Sequence, residues 1–214
     1  MAIREKVFGK LHPDVANTFN NIAAIYYELS DFEKSLEFNN MAMSICKETF
    51  GEYHPDVAKT YNNIALVYKS KGDYEKALEY YNMALIIYKK AFKKQGIDIV
   101  KTYNNIGTLY KDKGDYKKAL KFYNIALLIQ EKNDGEYDSL TGIIYNNIAG
   151  VYEEQGEYKT ALDGYIKAFK IISRLNMKHK SYDTIKENLK SAYLSEGKQE
   201  NEFNDFVEQV LNQE

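Results

Sequence analysis

The chain has 214 residues, 44% of them hydrophobic, and its 29 lysines and arginines against 31 aspartates and glutamates give a formal charge of −2. This near balance excludes a global attraction to nucleic acid or to an anionic membrane. A single cysteine excludes an intrachain disulfide, and no apolar run approaches the roughly 20 residues that a transmembrane helix needs. We therefore expect a cytoplasmic protein that binds neither nucleic acid nor membranes.

An Asn-Asn pair recurs along the chain at a constant interval. Pairs spaced 42 residues apart begin at Asn20, Asn62, Asn104 and Asn146. A period of this size indicates an array of repeats, in which each unit buries its apolar face against its neighbours. In residues 54–92, apolar residues at helical spacing lie on both sides of Gly72. Each repeat is therefore expected to be two amphipathic helices joined by a short turn.

The period divides the chain into six segments. Residues 1–11 match the end of a second helix and are expected to be the remnant of a preceding repeat. The remaining segments are repeats 1 to 4 and a divergent fifth hairpin that caps the array, at residues 12–53, 54–95, 96–137, 138–179 and 180–214. The last helix of this cap is expected to bury Phe203, Phe206, Val207, Val210 and Leu211.

The turn within each repeat should hold a residue with a positive φ angle. Glycine stands there in repeats 2 to 4, at Gly72, Gly114 and Gly156, whereas repeat 1 has Ser30 and should have a strained turn. Small residues recur where the two helices of a repeat are expected to cross. These are Ala23, Ala65, Gly107 and Ala149 on the first helices and Ser35, Ala77, Ala119 and Ala161 on the second helices.

Repeat 2 carries these features in an order that resembles the tetratricopeptide repeat, at Tyr61, Ile64, Ala65, Tyr68, Gly72, Tyr74, Ala77, Tyr81 and Ala84. The usual repeat is about 34 residues long, and the additional residues would lengthen each helix by about one turn. This long form is similar to the repeats of kinesin light chains. The resemblance implies an all-α, right-handed superhelical solenoid whose first helices line a concave groove. It also implies a non-enzymatic adaptor without a cofactor.

Residues that could carry catalysis have simpler interpretations. His12 and His54 precede a proline and are interpreted as helix-entry residues, Cys46 as a structural thiol, and Glu153 with Glu154 as a solvated helix face. We predict no catalytic residue, no metal site and no cofactor. An aromatic-rich surface can stack on single-stranded nucleic acid, but most of the 20 tyrosines are interpreted as core.

The asparagine pairs are predicted to bind a partner. Asparagine is a mediocre helix former because its amide competes for backbone hydrogen bonds, so its recurrence in mid-helix indicates a use for the side chain. A carboxamide both donates and accepts, and a ladder of them can hold the backbone of an extended peptide. The predicted partner-binding residues are Asn20, Asn21, Asn62, Asn63, Asn104, Asn105, Asn146, Asn147, Lys59, Lys69, Lys101, Lys111, Tyr27 and Glu153.

An alternative use of these amides stays open. One asparagine of each pair could bond to a neighbouring helix, in which case the second of the pair is the better candidate for contact with a peptide. The charge on the predicted groove changes from Lys69 and Lys111 to Glu153. A bound peptide should therefore prefer an acidic middle and a basic end near repeat 4.

One column of residues departs from the kinesin light chain pattern. Where residues 1–11 have Arg4, the full repeats have Cys46, Tyr88, Gln130 and Ile172. The resemblance implies acidic, tryptophan-containing peptides as partners, but this preference is not expected to carry over without those arginines.

A second function remains open from the sequence. The chain could be a sensor or oligomerisation segment of a larger regulatory protein, associating through an apolar N-terminal edge that contains Ile3, Val7 and Phe8. An enzymatic function would need a compact pocket with convergent titratable groups, and the sequence shows no sign of one.

Overall fold

The structure is a computed structural model, and it describes residues 12–91, 96–132, 138–175 and 180–212. The regular elements of this part of the chain are all helical. They are α1 Pro13–Glu28, α2 Phe32–Phe50, α3 Pro55–Ser70, α4 Tyr74–Ala91, α5 Ile97–Asp112, α6 Tyr116–Glu131, α7 Ser139–Glu154, α8 Tyr158–Arg174, α9 Lys180–Ser195, a short 3₁₀ helix Glu200–Glu202 and α10 Phe203–Asn212.

The chain divides into two compact units, and the boundary lies between Leu109 and Tyr110 within α5. In unit 1, α1 packs on α2 and α3 packs on α4, while α2 also contacts α3. In unit 2, α7 packs on α8, and α8 packs in turn on α9 and α10. Within each unit, consecutive helices are therefore neighbours in space, which confirms the predicted all-α fold of helix pairs.

The first two helix pairs begin with side-chain caps. His12 and His54 precede Pro13 and Pro55, and the Nδ1 atom of each histidine accepts a hydrogen bond at 3.2 Å from the backbone N–H two residues later. Proline suits the first helical position because its missing N–H would have no partner there. The two histidines are thus helix caps, as predicted from their position before proline.

The turn of repeat 1 differs from the other turns in one residue. Gly72, Gly114 and Gly156 have φ angles of 78°, 75° and 78°, and Ser30 has a φ of 59° in the same place. Ser30 is the only non-glycine residue with positive φ in the described ranges. This conformation costs an L-residue roughly 1–2 kcal/mol, so the predicted strain is present.

Small residues form the contact between the two helices of each pair. All eight of the predicted positions are buried, and the Ser35 hydroxyl donates to the Ala23 carbonyl of the facing helix at 2.9 Å. Aromatic rings stack beside this contact, with centroid distances of 5.4 Å for Tyr26–Phe38 and 5.5 Å for Tyr68–Tyr80. The close approach of the helices therefore follows from the residues that the sequence analysis selected.

Two predictions about burial need correction. Phe203, Val207 and Val210 are buried, but Leu211 is 46% exposed because it lies at the edge of this apolar stripe in the last turn of α10. The interpretation of most tyrosines as core is also too strong. Among the described tyrosines, the fully buried ones are Tyr81, Tyr88, Tyr123, Tyr165 and Tyr193, and most others are half-buried.

Candidate partner-binding faces

The first asparagine of the pairs in unit 1 joins neighbouring first helices. Asn20 on α1 is 6% exposed, and its Nδ2 donates to Thr60 Oγ1 on α3 at 3.4 Å. Asn62 on α3 repeats the contact, because its Nδ2 donates to Thr102 Oγ1 on α5 at 2.9 Å. Each threonine hydroxyl donates in turn to the backbone carbonyl four residues earlier, at 3.0 and 2.7 Å. These amides therefore hold one repeat against the next.

Unit 2 contains a related contact with a different partner. Asn146 Oδ1 on α7 accepts a hydrogen bond from Asn188 Nδ2 on α9 at 2.9 Å. The sequence analysis missed Asn188, although it lies 42 residues after Asn146, because Asn188 is not part of an Asn-Asn pair. Asn104 is 8% exposed, so its side chain is also withdrawn from the surface.

The second asparagine is more accessible than the first in repeats 1 and 3, whereas both members of the pair are half-buried in repeats 2 and 4. Asn21 is exposed, and Asn63, Asn105 and Asn147 are half-buried. A residue that follows a buried one on a helix is rotated by about 100° around the axis, which places the second asparagine at the edge of the helix–helix contact. All four second asparagines therefore keep some exposure to a partner, whereas Asn20 and Asn104 are buried.

A small pocket opens on the first-helix face of unit 1, between α1, α2 and α3. Its volume is about 70 Å³, and its walls include Ala24, Tyr27, Asn39, Asn63 and Leu66. The Tyr27 hydroxyl lies 2.8 Å from Ser70 Oγ, which fixes the tyrosine ring at the rim. The structure thus brings together two predicted site residues, Tyr27 of repeat 1 and Asn63 of repeat 2.

The three lysines predicted for unit 1 differ in accessibility. Lys59 and Lys101 are exposed, and Lys69 is half-buried. Lys59 precedes Asn63 by four residues and therefore lies on the same side of α3. The accessible amide of repeat 2 thus lies beside a solvated positive charge.

In unit 2, the fourth predicted lysine has an acidic partner. Lys111 Nζ lies 3.0 Å from Glu154 Oε1, and the lysine side chain is 25% exposed. Lys111 occupies the repeat position of Tyr27, and Glu154 occupies that of Ser70. The same contact between adjacent repeats is therefore a hydroxyl pair in unit 1 and an ion pair in unit 2.

Glu153 is held by two hydroxyl groups. Its Oε2 accepts from the Tyr165 hydroxyl at 2.7 Å, and its Oε1 accepts from Ser191 Oγ at 3.0 Å. Burial, and then the hydrogen bond to the Glu153 carboxylate, raise the pKa of Tyr165, so the phenol stays protonated and donates. The negative charge of Glu153 is thus fixed in position by neutral groups.

Glu153 and Tyr165 line an open pocket of about 450 Å³ in unit 2. Four predicted site residues meet there, namely Lys111, Asn146, Asn147 and Glu153. The pocket floor contains Gly150, where a Cβ atom would lie 3.4 Å from the Tyr165 hydroxyl and 3.5 Å from Lys111 Nζ. The pocket lining contains two carboxylates, Glu153 and Glu154, and one ammonium group, Lys111, so it carries a net negative charge.

The column that begins with Arg4 belongs to the interior in the full repeats. Cys46, Tyr88, Gln130 and Ile172 are all buried. Their side chains do not contribute to a partner-binding surface, so the sequence-based use of this column to judge the charge of the groove is wrong for repeats 1 to 4. Burial raises the pKa of Cys46 to about 11, which disfavours the reactive thiolate.

Other functional classes find no support in the described residues. Within those ranges, no group of three or more histidine, cysteine, aspartate or glutamate residues could hold a metal ion. The helices described above include none that is both long and apolar enough to span a bilayer. Ile3, Val7 and Phe8 of the predicted self-association edge lie outside the described residues, so that alternative stays a prediction.

The repeat period, the helix pairs and the glycine turns agree with a match to a family model. The model is described as "Tetratricopeptide repeat" and matches residues 1–48, 14–90 and 98–174. The chain belongs to the tetratricopeptide repeat family. A search of curated proteins with this tetratricopeptide sequence gives no match.

Solved structures with a similar fold include a putative kinesin light chain. BtubC (BKLC) from P. vanneervenii is 21% identical, with a TM-score of 0.74 over 92% of this chain and 80% of that chain. A Podosopora anserina putative kinesin light chain with nearly identical TPR-like repeats is 19% identical, with a TM-score of 0.68 over 93% of this chain and 94% of that chain. The predicted similarity to kinesin light chain repeats is therefore confirmed for the fold.

A third solved structure comes from a protein with a different name. The apo form of RapI is 18% identical, with a TM-score of 0.70 over 91% of this chain and 68% of that chain. The fold is thus shared among differently named proteins, and the partner of this tetratricopeptide array must be inferred from its own side chains.

Proposed function

We propose that the chain is a non-enzymatic scaffold that binds an extended peptide or a partner protein through the first-helix faces of its repeats. The family supports this proposal, because tetratricopeptide repeats typically serve as protein-interaction scaffolds. The main supporting observation is the division of roles within the asparagine pairs. Asn20 and Asn62 join helices, whereas Asn21 is exposed and Asn63 lines the small pocket of unit 1.

The accessible amides suit a peptide backbone. Each carboxamide offers two N–H donors and one oxygen acceptor, so it can pair with the C=O and N–H groups of an extended chain without selecting its side chains. Lys59 and Lys101 flank these amides in unit 1 and would attract acidic side chains of the partner. A segment bound to unit 1 is therefore proposed to be acidic.

Unit 2 is proposed to prefer the opposite charge. Lys111 already has an ion-pair partner in Glu154, and Glu153 accepts only from neutral hydroxyls. The local excess of one carboxylate would attract a lysine or arginine side chain of the partner. The single buried cysteine, Cys46, suits a reducing compartment, so we place this function in the cytoplasm.

The experiment uses peptides selected for binding to the whole chain from a random library. Their affinities are measured by isothermal titration calorimetry for the original chain and for Asn63→Ala combined with Asn105→Ala. Each lost hydrogen bond costs about 0.5–1.5 kcal/mol, so the double substitution should weaken binding roughly tenfold. Equal affinities would sink the proposal.

A matched control replaces two asparagines on second helices instead of first helices. Asn82 on α4 and Asn124 on α6 are both exposed and belong to second helices. Asn82→Ala with Asn124→Ala should leave the affinity unchanged. A loss equal to that of the first-helix pair would show that the selected peptides do not bind on the proposed face.

A further inference from the structure

Repeat 1 lacks an aromatic ring that the following repeats bury. Asn39 on α2 stands at the position of Tyr81, Tyr123 and Tyr165, which follow it at intervals of 42 residues. These three tyrosines are at most 2% exposed, so each ring is enclosed by its surroundings. In repeat 1 the shorter amide stands there, and the pocket of about 70 Å³ is lined by Asn39.

The side-chain oxygen of Asn39 is buried without a hydrogen-bond donor. The residue is 1% exposed, and its Nδ2 donates to the Ser35 carbonyl at 2.9 Å. Its Oδ1 is buried and has no hydrogen-bond partner among the described residues. A buried acceptor left without a donor costs about 1–3 kcal/mol. An amide oxygen can only accept, so this atom requires a donor that the described part of the chain does not provide.

The rest of the pocket lies on the proposed partner-binding face. Ala24, Leu66 and Val67 give it apolar walls, and Asn63 lies beside them with its accessible amide. The pocket therefore combines apolar walls with one buried acceptor, Asn39 Oδ1, that has no donor among the described residues. A side chain that matches it is apolar along its length and carries one donor at its end.

Repeat 4 shows how a tyrosine satisfies such a position. Tyr165 is buried on α8, and its hydroxyl donates to Glu153 on the first helix of the same repeat at 2.7 Å. A phenol therefore fits at this place in the helix pair with its hydroxyl bonded to a protein acceptor. In repeat 1, Asn39 stands at the position of that tyrosine, so the ring is absent and the unpartnered Oδ1 of Asn39 is an acceptor that repeat 4 does not have.

We propose that this pocket, lined by Ala24, Tyr27, Asn39, Asn63, Leu66 and Val67 and named here the anchor pocket, binds a tyrosine side chain of the partner peptide. The phenolic hydroxyl donates to Asn39 Oδ1, and the ring packs between Leu66 and Ala24. This inference rests on the proposed function, because Asn63 would hold the peptide backbone beside the anchor. A closed cavity of about 150 Å³ holds benzene, so the smaller anchor pocket takes the hydroxyl end of the ring and its open mouth takes the remainder.

The probe for the experiment is p-cresol, which is the side chain of tyrosine, compared with toluene, which lacks the hydroxyl. Both are titrated into the isotope-labelled whole chain and followed by NMR at the Asn39 amide and the Leu66 methyl groups. We expect saturable shifts with p-cresol and about tenfold weaker binding of toluene, as the loss of one hydrogen bond to a buried acceptor implies. The absence of saturable shifts with p-cresol would overturn the proposal.

Two substitutions separate shape from hydrogen bonding. Asn39→Tyr installs the residue of the other repeats and should fill the pocket, so p-cresol binding should fall more than tenfold while the thermal midpoint is kept or raised. Asn39→Leu removes the acceptor and should abolish the preference for p-cresol over toluene. Asn40→Tyr is the control, because Asn40 is exposed beside Asn39, and it should change neither result. Unchanged p-cresol binding in Asn39→Tyr, or an unchanged preference in Asn39→Leu, would refute the anchor pocket.

The library peptides distinguish this inference from the proposed function. If Asn63→Ala with Asn105→Ala weakens their binding but Asn39→Tyr does not, the scaffold function stands and the anchor pocket is refuted. If replacement of a tyrosine in the peptide and Asn39→Tyr in the protein each weaken binding about tenfold, and the two losses do not add, the proposal is supported.

Discussion

The candidate partner-binding faces of unit 1 and unit 2 have the same repeat positions but different chemistry. In unit 1, Tyr27 bonds to Ser70 beside a small apolar pocket. In unit 2, the corresponding residues are Lys111 and Glu154, and they border a larger polar pocket. An asparagine side chain bonds to the following first helix in both units, whereas the pair formed by the positions of Tyr27 and Ser70 changes from two hydroxyls to an ion pair. The difference teaches that selectivity in such an array arises where equivalent positions differ.

The largest expected effect on stability comes from replacing Tyr165 of unit 2 with asparagine, the residue that unit 1 has at the equivalent position 39. Tyr165→Asn removes a buried ring and the hydroxyl that donates to Glu153, and it should lower the free energy of unfolding by about 3–5 kcal/mol. Urea unfolding followed by circular dichroism measures the change. Tyr165→Phe keeps the ring and should cost only about 1 kcal/mol. A loss below that value in Tyr165→Asn would show that the ring adds little to unit 2.

The next effect tests the contacts between first helices in unit 1. Thr102→Val keeps the shape of the side chain but removes the hydroxyl that accepts from Asn62, and it should lower the free energy of unfolding by about 1–3 kcal/mol. Chemical denaturation gives the value. Thr108→Val is the comparison variant, because Thr108 is half-buried and its hydroxyl donates to the Asn104 carbonyl of its own helix at 3.1 Å. Equal losses would contradict a special role for the Asn62–Thr102 bond.

A smaller effect of opposite sign is expected at the turn of repeat 1. Ser30→Gly removes the strain of a positive φ angle and should raise the free energy of unfolding by about 1 kcal/mol. The thermal midpoint should rise accordingly. Ser30→Ala keeps a Cβ atom and should bring no gain. If glycine and alanine give the same midpoint, the φ angle of this turn is not a source of strain.

The smallest effect sharpens the difference in charge. Glu153→Gln should weaken the binding of an oligo-arginine peptide to the chain by about two- to fivefold, as expected for one partly exposed charge pair. Fluorescence anisotropy at low salt measures the affinity, and added salt should reduce the difference. Lys111→Gln should strengthen the same binding, because it removes the positive charge that opposes the peptide. If the original chain, Glu153→Gln and Lys111→Gln bind the peptide with identical affinity, unit 2 does not select basic side chains.

The fold could be predicted from the sequence because its signals are local and repeated. The period of the asparagine pairs, the glycine at the turn and the small residues at the crossing each appear in several copies, so Ser30 could be interpreted from Gly72. Burial was harder to predict. Leu211 continues an apolar pattern but lies at the edge of the stripe, and the column of Cys46 is buried in all four repeats although it includes the polar Gln130.

The candidate site could be predicted in part. The sequence selected Tyr27 and Asn63, and the structure brings both to one pocket. It did not reveal that Asn20 bonds to Thr60 or that Lys111 pairs with Glu154, because those partners come from the following repeat. Asn39 was overlooked, although a comparison with Tyr81 at the same repeat position would have shown the lost ring.

The contact between Tyr27 and Ser70 has a consequence for the evolution and engineering of the array. A repeat is joined to its neighbour by a side chain that matches the residue 43 positions later, one more than the period, as Lys111 and Glu154 also show. Repeats of this chain are therefore not interchangeable modules. Duplicating or shuffling one repeat would create a junction at which a hydroxyl or a charged group contacts a residue of the wrong type. A lengthened array therefore needs the contact residues on both sides of each new junction redesigned together with the new repeat.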